Sequence, residues 1–407
     1  MSRRSALRTV GSTLLGLLVV ALAVVIAASV LAPPPDATVA ALALPLRVEQ
    51  PAPALPSRGA AAAATGDERP MLAGSTTAVP LVAVAKLVTV LTVLGARPLT
   101  PGRSGPIIPV TADDVAYHRS EATLGQRTQP LLIGDTWTES DAIAATVVAS
   151  SNDTAVMLAS WAFGSPDGYL TAARSWLQRH GLRSVRVLDP TGLNDGDVGS
   201  AADVARIGVL AAADPALSAL TGRGSFHTVH DLAVTDDIAL ADSGDMTMLT
   251  RSYSDAGGVC AVALWHGTVS GARRTVAVAL LGEPDWATLA ADLRAFAASA
   301  DRLHGTVLPA RTPALRLTTA WGGSADAVTT TAVSAFALRP GSVTSTVSAP
   351  ITAAATAGTR SGIVTLRSPS GRDRVPLVLA STLTGPDLLW RITHPAQLVP
   401  RFMGAVR

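Results

Sequence analysis

Cysteine occurs once in the 407 residues, at Cys260, and lysine once, at Lys86. A single thiol excludes an internal disulfide framework, a multi-cysteine zinc site and an iron–sulfur cluster. Histidine is scarce too. Of the seven, His227 and His230 lie close together beside Asp231, but without a third converging ligand they read as a solvated loop rather than a metal centre. Aromatic residues make up 4% of the chain and charged residues 15%, while the 48% apolar share supports packed cores and excludes a disordered or fibrous chain. A net charge of +2 leaves no footprint of a nucleic-acid binder.

What is present is unevenly placed. The other 31 basic residues are all arginine, so the lone lysine raises a question of chemistry: an amine can lose its proton and act as a base where a guanidinium cannot. The alternative is a chance survivor of the compositional bias. Residues 306–407 hold ten arginines against three aspartates and no glutamate, a net +7, which leaves residues 1–305 at −5. A positive module of this kind could rest on anionic wall polymers or lipid headgroups, or simply carry arginines on exposed strand faces for solubility.

Residues 10–32 contain no charge, and 23 helical residues are long enough to cross a hydrocarbon core of about 30 Å. Arg3, Arg4 and Arg8 precede this run, which orients residues 1–9 to the cytoplasm and everything after residue 32 outside the cell membrane, as a single-pass protein. A cleavable signal peptide begins in the same way; the length of the apolar run and Pro33 immediately after Ala32 favour an uncleaved anchor. Residues 33–54, rich in proline and alanine, read as an extended linker.

A folded domain is expected over residues 55–305. Its first hairpin falls at residues 60–64 and 71–73, around Gly66-Asp67. Thr138 with Asp141 three residues later opens one helix, Asp153 could cap a second that stops at Gly164, and Ser165-Pro166 starts a third with Tyr169, Ala173, Trp176 and Leu177 on one face and Gly181 past its end. Residues 258–266 and 275–281 are apolar, β-prone runs that read as antiparallel strands covered on both faces, and Glu283-Pro284-Asp285 begins a helix to about residue 303. The fold class is therefore α/β or α+β, an antiparallel sheet flanked by helices. Residues 306–407, dominated by threonine, valine and serine, read as a small all-β C-terminal domain. Cys260, Trp265 and Trp286 are expected in the core.

Three short patterns occur in order. The first is Pro80-Leu81-Val82-Ala83-Val84-Ala85-Lys86-Leu87-Val88-Thr89. The second is Ser150-Ser151-Asn152, followed by Asp153 and preceded by Gly134-Asp135-Thr136-Trp137-Thr138. The third is Thr250-Arg251-Ser252, ahead of Gly257-Gly258. Pro98-Leu99-Thr100-Pro101-Gly102, Asp189-Pro190-Thr191-Gly192-Leu193 and Ser200-Ala201-Ala202-Asp203-Val204 lie between them. In this order and spacing the chain resembles the penicillin-binding, D-alanyl-D-alanine carboxypeptidase family of serine peptidases (peptidase S11, with a β-lactamase/transpeptidase-like domain), as a degenerate member.

The resemblance implies a Ser-x-x-Lys motif in which the lysine takes the proton of a nucleophilic serine one helical turn away. Lys86 fills the lysine position, but the serine position is Ala83. Ser150 and Asn152 fill the Ser-x-Asn motif, whose serine shuttles protons and whose asparagine holds the substrate amide. Thr250, Arg251 and Ser252 stand where Lys-Thr-Gly would bind the substrate carboxylate. Arg251 could restore the cation, yet a one-residue offset on a strand turns a side chain to the other face unless a bulge intervenes. The motifs imply no cofactor and no metal.

Ala83 cannot form an acyl-enzyme. The family resemblance therefore implies a pseudoenzyme of peptidoglycan metabolism, anchored in the membrane, that binds peptidoglycan, its stem peptides or a cell-wall protein. One alternative is an active carboxypeptidase with a displaced nucleophile, for which Ser150, Ser151 and Ser75 are candidates. Another is a purely structural remnant in which Lys86 packs against Ser150 and Asn152, with interactions made by the basic β domain.

Overall fold

The computed structural model describes residues 3–46, 53–66, 68–221, 225–227, 229–231, 233–235, 245–269, 272–300, 306–334, 338, 343–349, 353–368 and 371–406. The apolar N-terminal run lies in helix α1 (Arg3–Leu31), whose segment Gly11–Leu31 is long and apolar enough to cross a membrane. The next secondary-structure element, β1 (Thr38–Ala41), pairs antiparallel with a strand near residue 316. Part of the stretch read as an extended linker is thus sheet. Its pairing partner lies some 280 residues away, and no local pattern announces it.

Strands β2 (Ala60–Ala64) and β3 (Met71–Gly74) form the expected first hairpin, although Asp67 within it lies outside the described residues. They complete a five-stranded antiparallel sheet with β4 (Met246–Ser254), β5 (Gly258–Val269) and β6 (Ala272–Glu283), in the order β4-β5-β6-β2-β3. The alanine run of β2 is a poor strand former by propensity, but every residue of it is buried. Ala60, Ala62 and Ala64 join the core on one face of the sheet, and Ala61 and Ala63 join the core on the other. Methyl side chains suit this part of the sheet because a helix passes close overhead: a Cβ on Gly208 would stand 2.8 Å from the Cβ of Ala277, the β6 residue that pairs with Ala64.

Helices α2 (Ala85–Ala96), α3 (Ala112–Thr123), α4 (Glu139–Val147), α5 (Asn152–Phe163), α6 (Pro166–Arg179), α7 (Ala201–Ala213) and α8 (Pro215–Thr221) lie between the hairpin and the remaining strands. The larger core, with Leu87, Val90, Ile143, Leu158 and Val262, fills the space between them and the sheet. Helix α9 (Trp286–Ala300) covers the opposite face through Leu289, Leu293 and Phe296. The sequence signals for these helices are met in place. Thr138 caps α4, Ser165 caps α6 with Pro166 in its first turn, and Gly164 and Gly181 adopt φ values of 82° and 68° at helix ends. Asp153 differs from its expected role: Ser151 is the N-cap of α5 and Asp153 lies inside the first turn.

The second sheet has six strands in the order β1-β7-β8-β11-β10-β9, from β7 (Pro313–Thr318), β8 (Ser324–Thr329), β9 (Thr344–Ser348), β10 (Arg360–Ser368) and β11 (Gly371–Leu379). Its core contains Leu308, Leu317, Val364, Leu366 and Leu377. Two helices follow, α10 (Leu388–Thr393) and α11 (Pro395–Ala405). They qualify the all-β expectation for this part of the chain.

Candidate functional site

Ala83 and Lys86 sit where the short 3₁₀ turn Val82–Val84 runs into α2. Both residues line a cleft of about 180 Å³. One wall comes from the start of α5, with Ser150 and Asn152, and another from the edge strand β4, with Ser252 and Tyr253. Thr191, Gly192 and Leu193 close the third side. The fold thereby brings five sequence-read positions, Ala83, Lys86, Ser150, Asn152 and Ser252, into one space.

The other two are placed differently. β4 carries a register irregularity between Met248 and Thr250 and is regular from Thr250 onward. Thr250 and Ser252, two apart, consequently share a face directed at the Ala83 turn. The Thr250 hydroxyl donates to the Ala83 carbonyl oxygen at 3.4 Å, and the Ala83 N–H donates to the Ser252 Oγ at 2.9 Å. Thr250 and Arg251 line a much smaller space of about 10 Å³, beside Arg127 and Ser150. Arg251 is not part of the larger cleft. The bulge precedes the motif instead of falling inside it, so alternation holds through the three residues.

The cation at the cleft wall is Arg127, from the loop after α3, whose side chain is exposed and whose charge is felt by Lys86. Nothing in the sequence singles out one arginine among 31; tertiary structure alone carries it there. Trp286, expected in the core, is 42% exposed and lines the cleft instead, because it occupies the first turn of α9 at the sheet margin. Trp265 and Cys260 are buried as expected.

Lys86 is buried, and burial pushes its amine down to about 7; the nearby Arg127 charge acts in the same direction, while Asp189 opposes it. Its Nζ donates to the Thr191 carbonyl oxygen at 2.8 Å. Among the described residues it makes no hydrogen bond to Ser150 or Asn152, so the polar network anticipated between them is absent. The Thr191 turn is held independently. Asp189 accepts from the Thr191 hydroxyl at 2.6 Å and from the Gly192 and Asn194 amides at 2.7 and 2.8 Å.

The second motif is braced from behind. The Ser151 hydroxyl donates to Asp153, which also accepts from the Gln129 amide at 3.0 Å and pairs with His118 Nδ1 at 2.7 Å. Two residues in the cleft adopt left-handed backbone: Val82 has φ 50° and Ser150 has φ 55°. For a β-branched residue this is a costly conformation, and it persists only where the surroundings impose it. At Val82 the Ala83 hydrogen bonds on one side and the close approach of Gly192 on the other supply that constraint.

Chemically, the site holds an amine poised to titrate near neutrality and hydroxyls that could relay protons, but no oxygen or sulfur at position 83. The N–H of Ala83, a donor of the kind that polarises a carbonyl, is engaged by Ser252. His230, considered with His227 at the sequence level, pairs through Nε2 with Asp135 at 2.9 Å, away from the cleft.

The family model described as D-alanyl-D-alanine carboxypeptidase matches residues 73–253. A solved peptidoglycan synthesis regulatory factor, PBP3 of Streptococcus pneumoniae, shares the fold with a TM-score of 0.58 at 18% identity, over 80% of this chain and 99% of its own. Penicillin binding protein 6B of Escherichia coli gives 0.58 at 16% identity, over 81% and 98%. The Streptomyces K15 DD-transpeptidase gives 0.51 at 15% identity, over 62% and 98%. No curated protein matches the chain in sequence. The ordered motifs fall in the stretch, residues 73–253, that matches the D-alanyl-D-alanine carboxypeptidase family, peptidase S11, and the chain shares its fold with these solved structures.

Proposed function

We propose that the protein is a catalytically silent member of this family, anchored by α1 with its bulk outside the membrane, whose cleft binds peptidoglycan or its stem peptides. The observation that carries this reading is the methyl group of Ala83 facing the cleft beside Lys86, where the family motif has its nucleophile. A covalent acyl intermediate has no atom to form on at that position. The cleft itself persists, with Asn152, Arg127 and the exposed Tyr253 and Trp286 available to hold a ligand.

An active enzyme with Ser150 as nucleophile is the competing reading, supported by the presence of Ser150 and Lys86 in one cleft. It is disfavoured because the Lys86 amine donates to the Thr191 carbonyl oxygen and not to Ser150. A third reading places binding on the basic β domain. Retention of the detergent-purified full chain on insoluble peptidoglycan separates the binding modes. Asn152→Leu combined with Trp286→Ala should lower retention severalfold, whereas replacing Arg360, Arg367, Arg372 and Arg374 by serine should leave it unchanged. The opposite pattern would move binding from the cleft to the β domain.

A further inference from the structure

A second cavity, of about 500 Å³, opens between the loop of residues 98–106 and the start of α4. Leu99 and Pro106 give it an apolar wall, while Thr100, Ser104, Arg103 and Glu139 supply polar groups. None of these residues lines the Ala83 cleft. The loop is fixed to the helix through its backbone. The Glu139 and Ser140 amides donate to the Pro106 and Ser104 carbonyl oxygens, both at 2.9 Å, and the Arg103 amide closes a turn on the Thr100 carbonyl oxygen at 3.0 Å. The cavity is therefore preformed by main-chain bonds.

Glu139 is only 1% exposed, and its carboxylate makes no hydrogen bond or ion pair among the described residues. A buried carboxylate without a partner destabilises the fold. Burial raises its affinity for a proton, and the Arg97 charge opposes that rise. Its place in the first turn of α4 also favours the ionised form. Gly105 passes directly over the carboxylate: its φ is 72°, and a Cβ there would stand 2.8 Å from Glu139 Oε2. Glycine at this position leaves room beside the charge that any other side chain would take.

Arg103 is the cavity's own cation. Its side chain is exposed and likewise has no ion pair or hydrogen bond among the described residues. Two opposite charges thus share one cavity without closing on each other. A ligand bearing a single charge would be attracted at one end and repelled at the other; a ligand bearing both satisfies the pair. The apolar wall suits an aliphatic side chain, and the volume lies in the range of small-molecule sites.

We propose that this cavity binds a zwitterionic α-amino acid with an apolar side chain. Its ammonium donates to Glu139 and to the Thr100 and Ser104 hydroxyls, and its carboxylate accepts from Arg103. The site is independent of the peptidoglycan reading of the cleft.

The test is calorimetric titration of the detergent-purified full chain with L-leucine and D-leucine, then with the amide and the N-acetyl derivative of whichever binds more tightly. The free amino acid should bind about tenfold or more tighter than either singly charged derivative. Glu139→Gln should weaken the amino acid and the amide by a similar factor and leave the N-acetyl derivative unaffected. Arg103→Gln, at an exposed position, should weaken the amino acid and the N-acetyl derivative and leave the amide unaffected. Melting temperatures of both variants verify that the fold is kept. No binding of either leucine at millimolar concentrations, or binding that neither substitution alters, would overturn the site. So would a fall in melting temperature in Arg103→Gln that vanishes when Glu139→Gln is also present, because the two charges would then pair with each other in the ligand-free chain.

Discussion

Gly192→Ala is expected to destabilise the carboxypeptidase-like domain by about 2–4 kcal/mol, although it adds one methyl group. The glycine has a φ of 82° and its missing Cβ would drive into the carbonyl of Val82. That carbonyl cannot retreat easily. Val82 is itself held at φ 50°, and the next residue is fixed through both its N–H and its carbonyl by Ser252 and Thr250. Alanine therefore forces either a strained left-handed residue or a displaced nucleophile turn. Scanning calorimetry should show a drop in the melting temperature of roughly 4–16 °C. A change below about 1 °C would mean that the turn yields freely and that the left-handed residues of the cleft are not imposed by their surroundings.

Lys86→Met is expected to stabilise the protein at acidic pH and to lose that advantage as the pH rises. Burial holds the amine at about 7 against an ordinary value of 10.5, so between those limits the unfolded chain binds the proton more readily than the folded one. Stability of the wild-type protein must then increase with pH across the same window. Below about pH 7 both states are protonated, and the folded protein bears the full cost of a buried ammonium, on the order of a few kcal/mol. Methionine removes that cost and fills similar space. It also removes the hydrogen bond to Thr191, at a cost of about 1–3 kcal/mol, while Asp189 keeps its own partners in the turn. The variant should be clearly more stable at pH 6 and equal or less stable near pH 10, as read by chemical denaturation at each pH. A difference independent of pH would show that the folded and unfolded states hold the Lys86 proton equally tightly, so that burial does not depress the amine.

Much of this architecture was legible from local chemistry. Thr138, Ser165, Gly164 and Gly181 mark helix ends because capping is decided within a few residues, and the two long strands β5 and β6 announce themselves by their apolar runs. The cleft is legible through motif order, which associates Ala83, Lys86, Ser150 and Asn152 although they lie far apart in the chain. What escaped the sequence depends on distant partners. Strand β1 exists because β7 is there to pair with it, Arg127 reaches the cleft only through the packing of α3, and Trp286 is exposed because its helix begins at the edge of the sheet. Asp153 is the instructive case. It belongs to the residue types that cap helices, yet Ser151 takes that place and the carboxylate gathers Ser151, Gln129 and His118 behind the motif.

Purified full-length protein, incubated with a fluorescent penicillin and, separately, with a peptide ending in D-alanyl-D-alanine, gives the most direct measurement of catalytic silence. No covalently labelled band and no release of D-alanine above the protein-free control are expected, at neutral pH and at pH values where Lys86 is deprotonated. A label that maps to a serine and disappears in Lys86→Met, or D-alanine release that depends on this chain, would contradict it.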